Sequence, residues 1–169
     1  LKQIPIENIL WIDLNDVPED AESELEQFLK IYIQEEEEME EIEISSRYME
    51  TEDTVVANSH FLLDNFEEEP ISFIVKNNIL VTVRSQELRS FNETVKKMFA
   101  NSRNYPNGFY ILVALFETRV EYDADMIEEL AKEITQLSNR LKTDEDVSDD
   151  ILIAIKELQE KTMLIRENI

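Results

Sequence analysis

The hydrophobic period of this chain changes for good near Glu87. Before that point short β-rich runs dominate, with one helical stretch among them; beyond it apolar residues recur at three- and four-residue spacing almost to the end. A chain that spends its strands early and most of its helices late points to the α+β class rather than to alternating strand–helix units.

The early runs are specific. Residues 9–14 read as a short buried strand, and Pro18 with Glu19 and Asp20 opens a helix, because proline suits a first helical turn and acids suit the positive end of the helix dipole. Leu25, Phe28, Leu29 and Tyr32 give that helix one buried face. Residues 34–43, dense in glutamate, fit a solvated helical segment. Residues 47–53 and 54–63 read as two strands around a charged turn. Residues 71–75 and 79–83 form the clearest hairpin, around Asn77-Asn78, since asparagine tolerates the positive φ that tight hairpins need.

Residues 104–108, with Pro106 and Gly108, break the pattern. Beyond them Ile127, Leu130, Ile134, Leu137 and Leu141 make a narrow apolar seam, and Ile151, Ile155, Leu158 and Ile165 make another, interrupted by Thr162. A polar link at 142–150, with Ser148, Asp149 and Asp150 as a helix cap, makes an antiparallel helical hairpin. The expected fold is therefore α+β: a mixed β-sheet flanked by helices in an α/β/α arrangement over residues 1–107, then a long antiparallel helical hairpin over 108–169 that packs on the sheet domain.

Charge and rare residues narrow the function. Thirty-nine acidic residues against sixteen basic give a net charge of -23, which repels nucleic acid and anionic lipid. There is no cysteine, hence no disulfide or thiolate metal site. A single glycine excludes the Gly-rich loops that cradle nucleotide phosphates. The longest apolar run, residues 109–116, has eight residues, whereas a membrane-spanning helix needs about twenty. The chain is expected to be soluble by itself.

No catalytic constellation emerges. His60 is the one histidine and falls within a strand, so neither a His-rich metal site nor a Ser-His triad can assemble around it. The serines lack a nucleophile elbow, and carboxylate pairs are too abundant for any one pair to stand out as acid and base. Oxygen-ligated cations fit better, because Mg²⁺ keeps several waters and needs only one or two carboxylates. The acids at 144–150 lack the turn glycine and ligand period of an EF-hand loop. The chain is expected not to be an enzyme and to bind no organic cofactor.

Taken in order, several segments resemble the soluble domain of CorA-type divalent-cation transporters. Trp11-Ile12-Asp13-Leu14 followed by Pro18 is similar to that family's early strand and helix start. Arg47-Tyr48-Met49-Glu50 with Asp53-Thr54-Val55-Val56 resembles its next pair of segments, with Tyr48 in place of a proline. The hairpin from Ile71 to Val83 is the closest match. Residues 112–141 resemble the family's long acidic helix, and Ile155-Lys156-Glu157-Leu158 with Leu164-Ile165-Arg166 resembles the second arm of its helical hairpin. The Gly-Met-Asn signature that lies between the family's membrane helices is absent from these residues.

The resemblance implies the regulatory domain of a Mg²⁺ or Co²⁺ transporter at the cytoplasmic face of the cell membrane, attached to it through C-terminal helices outside this sequence. It implies a homo-oligomer, pentameric in the full-length protein, with a weakly bound regulatory divalent cation between subunits. Glu40 and Glu41 occupy the place of the family's acidic step after its first helix; Glu117 and Glu121 fall where relatives carry Asp. A zinc-transporting relative and an acidic scaffold with no transport role are the alternatives.

Overall fold

The structure, a computed structural model, describes residues 5–34, 48–143 and 149–168. Its strands are β1 (Trp11–Asn15), β2 (Tyr48–Glu50), β3 (Thr54–Leu62), β4 (Glu68–Lys76) and β5 (Ile79–Arg84). Its helices are α1 (Glu19–Leu29), α2 (Arg89–Ala100), α3 (Gly108–Thr143) and α4 (Asp149–Asn168), with short 3-10 turns at Ile6–Asn8 and Ser102–Asn104. The expected order of strands and helices is present. The glutamate-rich segment, apart from Gln34, and the Ser148 cap position lie outside the described residues.

Local chemistry explains several boundaries. Pro18 stands at the N-cap of α1 in extended conformation, with Glu19, Asp20 and Glu22 in the first turn. Lys30 ends the helix in the left-handed region at φ 54°. Asn77 and Asn78, at φ 50° and 70°, form the two-residue turn between β4 and β5. The Asn107 side-chain oxygen accepts from the backbone amides of Phe109 and Tyr110 at 3.0 and 3.4 Å, so it caps the 36-residue α3.

The strands make one mixed sheet in the order β1-β5-β4-β3-β2. β1 runs parallel to β5, with Trp11 opposite Leu80 and Asn15 opposite Arg84; β4 runs antiparallel to β5, and β2 antiparallel to β3. Strand parity then sorts the side chains. Leu14, Ile74, Val81 and Val83 face α1 and pack with its Leu25 and Leu29. On the other face Phe61 and Phe73 meet Phe91 of α2 and Phe116 of α3, with ring centroids 5.2 to 6.2 Å apart. Helices therefore cover both faces, which is the α/β/α arrangement. Each buried phenylalanine or leucine contributes about 1.5 to 3 kcal/mol.

The chain packs as two units. One holds the sheet, α1, α2 and the start of α3 as far as Thr118; the other holds α3 from Arg119, α4 and the connection Leu62–Glu67. The sequence-based division lay at 107 and 108, where α3 begins. In the second unit α3 and α4 run antiparallel: the Arg119 guanidinium donates to the Asn168 carbonyl at one end, and Lys161 meets Glu133 at 3.0 Å farther along. Leu130, Leu137, Ile151 and Ile165 are buried there, while Ile127, Ile134 and Leu141 stay more than a third exposed. Two helices alone cover only the line between them. The uncovered remainder of the seam forms an apolar groove of about 560 Å³ lined by Ile134, Leu137, Leu141, Ile155 and Leu158.

Candidate functional site

Of the four acids expected to hold a cation, Glu40 and Glu41 lie outside the described residues. Glu117 and Glu121 stand one helical turn apart on α3, both exposed. Asp125, Glu129 and Glu133 continue the same row at four-residue spacing, so five carboxylates follow one another along the helix. Like charges at this spacing each cost a few tenths of a kcal/mol, about 0.2 to 0.5, and so favour a counter-cation.

Lys132 stands beside the row. Its ammonium lies 2.9 Å from Glu128. That hydrogen bond, with the fields of Glu128, Glu129 and Asp125, raises the Lys132 pKa, and the same bond lowers that of Glu128. Both groups are fully solvated, so the pair contributes little to stability. Among the described residues no three His, Asp or Glu side chains converge on a point that could hold a metal ion. Carboxylates on one helix project side by side rather than inward. The donor type nevertheless suits a hard cation: abundant carboxylate oxygen, no thiolate and one histidine, His60, which lies half-buried in β3.

The buried charges lie elsewhere. On the aromatic face of the sheet Arg84 bonds both oxygens of Asp13, Nη2 to Oδ2 at 2.6 Å and Nε to Oδ1 at 3.2 Å. Asp13 Oδ1 also accepts from Thr82 Oγ1 at 2.7 Å, and Thr82 Oγ1 accepts from Trp11 Nε1 at 2.9 Å. The Arg84 guanidinium lies 4.7 Å from the Phe91 ring centroid, and its Nη1 donates to the Gln86 carbonyl. Glu69, 3% exposed, accepts from the backbone amides of Ser85 and Gln86 and from the Ser85 hydroxyl. Every one of these polar groups is matched, so the network fixes the exit of β5 into α2. The sequence reading missed it. Its faint signal was an aspartate and an arginine each ending up on one side of otherwise apolar strands.

In the helical unit Arg119 Nε donates to Asp123 Oδ2 at 3.2 Å. Burial raises the Asp123 pKa, and the Arg119 charge and hydrogen bond offset only part of that rise. No described helix is long and apolar enough to cross a membrane.

Residues 7–169 match the family described as CorA-like Mg²⁺ transporter protein. The magnesium transport protein CorA of Wolinella succinogenes is 37% identical over 171 residues, 96% of this chain and 53% of that protein. The namesake from Campylobacter jejuni strain RM1221 is also 37% identical, over 96% of this chain and 54% of its own, and that of Escherichia coli K12 is 29% identical over 92% and 51%. The chain thus spans about half the length of these relatives. They are named as transport proteins rather than enzymes. Among solved structures, the complete CorA magnesium transporter of Methanocaldococcus jannaschii superposes with a TM-score of 0.77 at 16% identity, over 99% of this chain and 55% of that one. The soluble domain of the same protein gives 0.64 at 18% identity, over 99% and 66%. At such identities the likeness concerns the fold alone.

Proposed function

The chain belongs to the family of CorA-like Mg²⁺ transporters, and from that premise we propose that it is the water-exposed, ion-sensing part of a divalent-cation transporter, placed at the cytoplasmic face of the membrane. The observation that carries this reading is one of extent. The family match runs over residues 7–169, the chain equals about half of its relatives, and no described helix can cross a membrane. The membrane-crossing work then belongs to a part of the protein other than these helices.

The sensing mechanism follows from the charge. In a homo-oligomer, a pentamer by resemblance, each copy brings a net charge of -23 to its neighbours. Carboxylates that face one another across subunit contacts repel, and a divalent cation held between them lowers that repulsion. Glu40 and Glu41 take the principal part in this proposal and Glu117 and Glu121 a lesser one. At high internal Mg²⁺ the neutralised ring is compact and the pore is shut; as the cation leaves, repulsion loosens the ring. A ligand shifts such an equilibrium only by its difference in affinity for the two states, so the cation must bind the compact ring better. Mg²⁺ is the leading cargo, with Co²⁺ and Zn²⁺ as competitors to be tested beside it.

The test uses the complete gene product in proteoliposomes, with uptake followed as internal Mg²⁺ is raised. Replacing Glu40 and Glu41 together by Gln should leave uptake running at internal concentrations that shut the unmodified protein. Superimposable inhibition curves would sink the sensing role of these residues.

A further inference from the structure

Residues 94–116 contain no Asp or Glu, in a chain with 39 of them, and they carry Lys96, Lys97 and Arg103. The same stretch, with β1, lines an apolar groove of about 560 Å³ whose walls include Trp11, Ile12, Val95, Met98, Phe99 and Tyr105. Phe99 is 87% exposed, the highest value among the large apolar side chains of the described residues. β1 is also an edge strand of the described sheet. A bare phenylalanine beside an open groove at a sheet edge costs hydration free energy and invites pairing, so it marks a contact surface. Among the described residues no charged side chain lines the groove itself; near it in the chain Lys96 is paired with Glu93 at 3.2 Å, Lys97 bonds Thr118 Oγ1 at 3.3 Å, and Arg103 and Glu7 are exposed.

We infer that this groove, with Phe99 and Arg103 at its margin, receives an acidic surface of a second copy of the chain. The inference rests on the oligomer of the proposed function and says which face of each subunit makes the contact. Copies that each carry -23 repel wherever acidic surface meets acidic surface. Putting the longest acid-free stretch against a neighbour's acidic surface avoids that repulsion and removes Phe99 from water in the same step. Such a contact is head-to-tail, joining two different faces, and head-to-tail contacts are the kind that close into rings.

The chain has no cysteine, so Phe99→Cys introduces a single thiol on a clean background, at a side chain too exposed for the change to affect folding. The complete gene product carrying it is treated with a polar maleimide, while its mass is followed by light scattering in detergent. The expected result is loss of labelling in the oligomer and its recovery on dissociation. Labelling of the intact oligomer at the rate of the monomer overturns the inference and leaves the proposed sensing function standing. Protection that persists in the monomer also overturns it, because a segment of the same chain then covers the groove. Absence of any oligomer, with or without Mg²⁺, removes both the inference and the oligomeric reading on which it rests. A second variant, Arg103→Glu, should associate more weakly than the unmodified protein, and the gap between the two should widen as total salt is lowered, because less screening strengthens both the attraction lost and the repulsion introduced; equal association of the two at low salt also overturns the inference.

Discussion

Arg84 clamps Asp13 across the parallel pair β1 and β5, with both carboxylate oxygens engaged at 2.6 and 3.2 Å. The arginine side chain is 4% exposed and the aspartate 28%. Removing the aspartate leaves a buried guanidinium with one partner fewer, and that loss is the larger part of the cost. Asp13→Ala should destabilise the fold by about 1 to 3 kcal/mol, read from denaturant midpoints at unchanged slope. A cost under about 0.5 kcal/mol, the usual size for a surface change, would show that the clamp is incidental.

Gly108 is the one glycine of the chain, and its role is proximity. A Cβ there would lie 2.4 Å from the Leu80 nitrogen and 2.8 Å from the Asn78 oxygen, both backbone atoms that cannot swing aside. Its own amide donates to that Asn78 oxygen at 2.6 Å. Gly108→Ala should therefore cost about 1 to 3 kcal/mol, against the gain of a few tenths usual when alanine replaces glycine at an unstrained site. Thermal unfolding decides between the two signs.

Asp123 carries a pH prediction. Its pKa is raised in the folded state, burial outweighing the pull of Arg119. The folded chain then binds the proton more tightly than the unfolded chain, so this group's favourable contribution is present at low pH and is lost as pH rises through the folded pKa. Asp123→Asn does not titrate and should gain on the unmodified protein as pH climbs out of the carboxyl range. The melting temperature of the variant minus that of the unmodified protein should rise from acid to neutral pH. A variant-minus-unmodified difference that falls toward neutrality contradicts the assignment.

What the sequence disclosed and what it hid divide along physical lines. The β4–β5 hairpin was legible because Asn77-Asn78 states its own backbone requirement, and the α1 start was legible because Pro18 and the acids after it act locally. The Asp13–Arg84 clamp was not, since its partners are 71 residues apart and only strand register joins them. Gly108 read as a breaker, whereas its tight contact with Leu80 is tertiary. The two helical seams were legible as seams; that Ile127, Ile134 and Leu141 would stay more than a third exposed was not, because periodicity marks a face without saying what covers it. At the candidate site, acidity was plain from composition. Glu117 and Glu121 do lie together on one face of α3, yet one helix cannot turn such a row into a cage.

That limit sets the most direct test of the sensing proposal: the melting temperature of this chain and its mass in solution across a Mg²⁺ series at constant ionic strength, with Ca²⁺, Co²⁺ and Zn²⁺ as parallel series. Binding to the folded state alone raises stability by RT ln(1 + [L]/Kd), so the shift should grow with the logarithm of concentration above Kd. The proposal predicts a shift that differs among the cations, is lost in the Glu40→Gln, Glu41→Gln double variant and is reduced in Glu117→Gln, Glu121→Gln. A flat response, or an equal one for every divalent cation that survives all four substitutions, would contradict it.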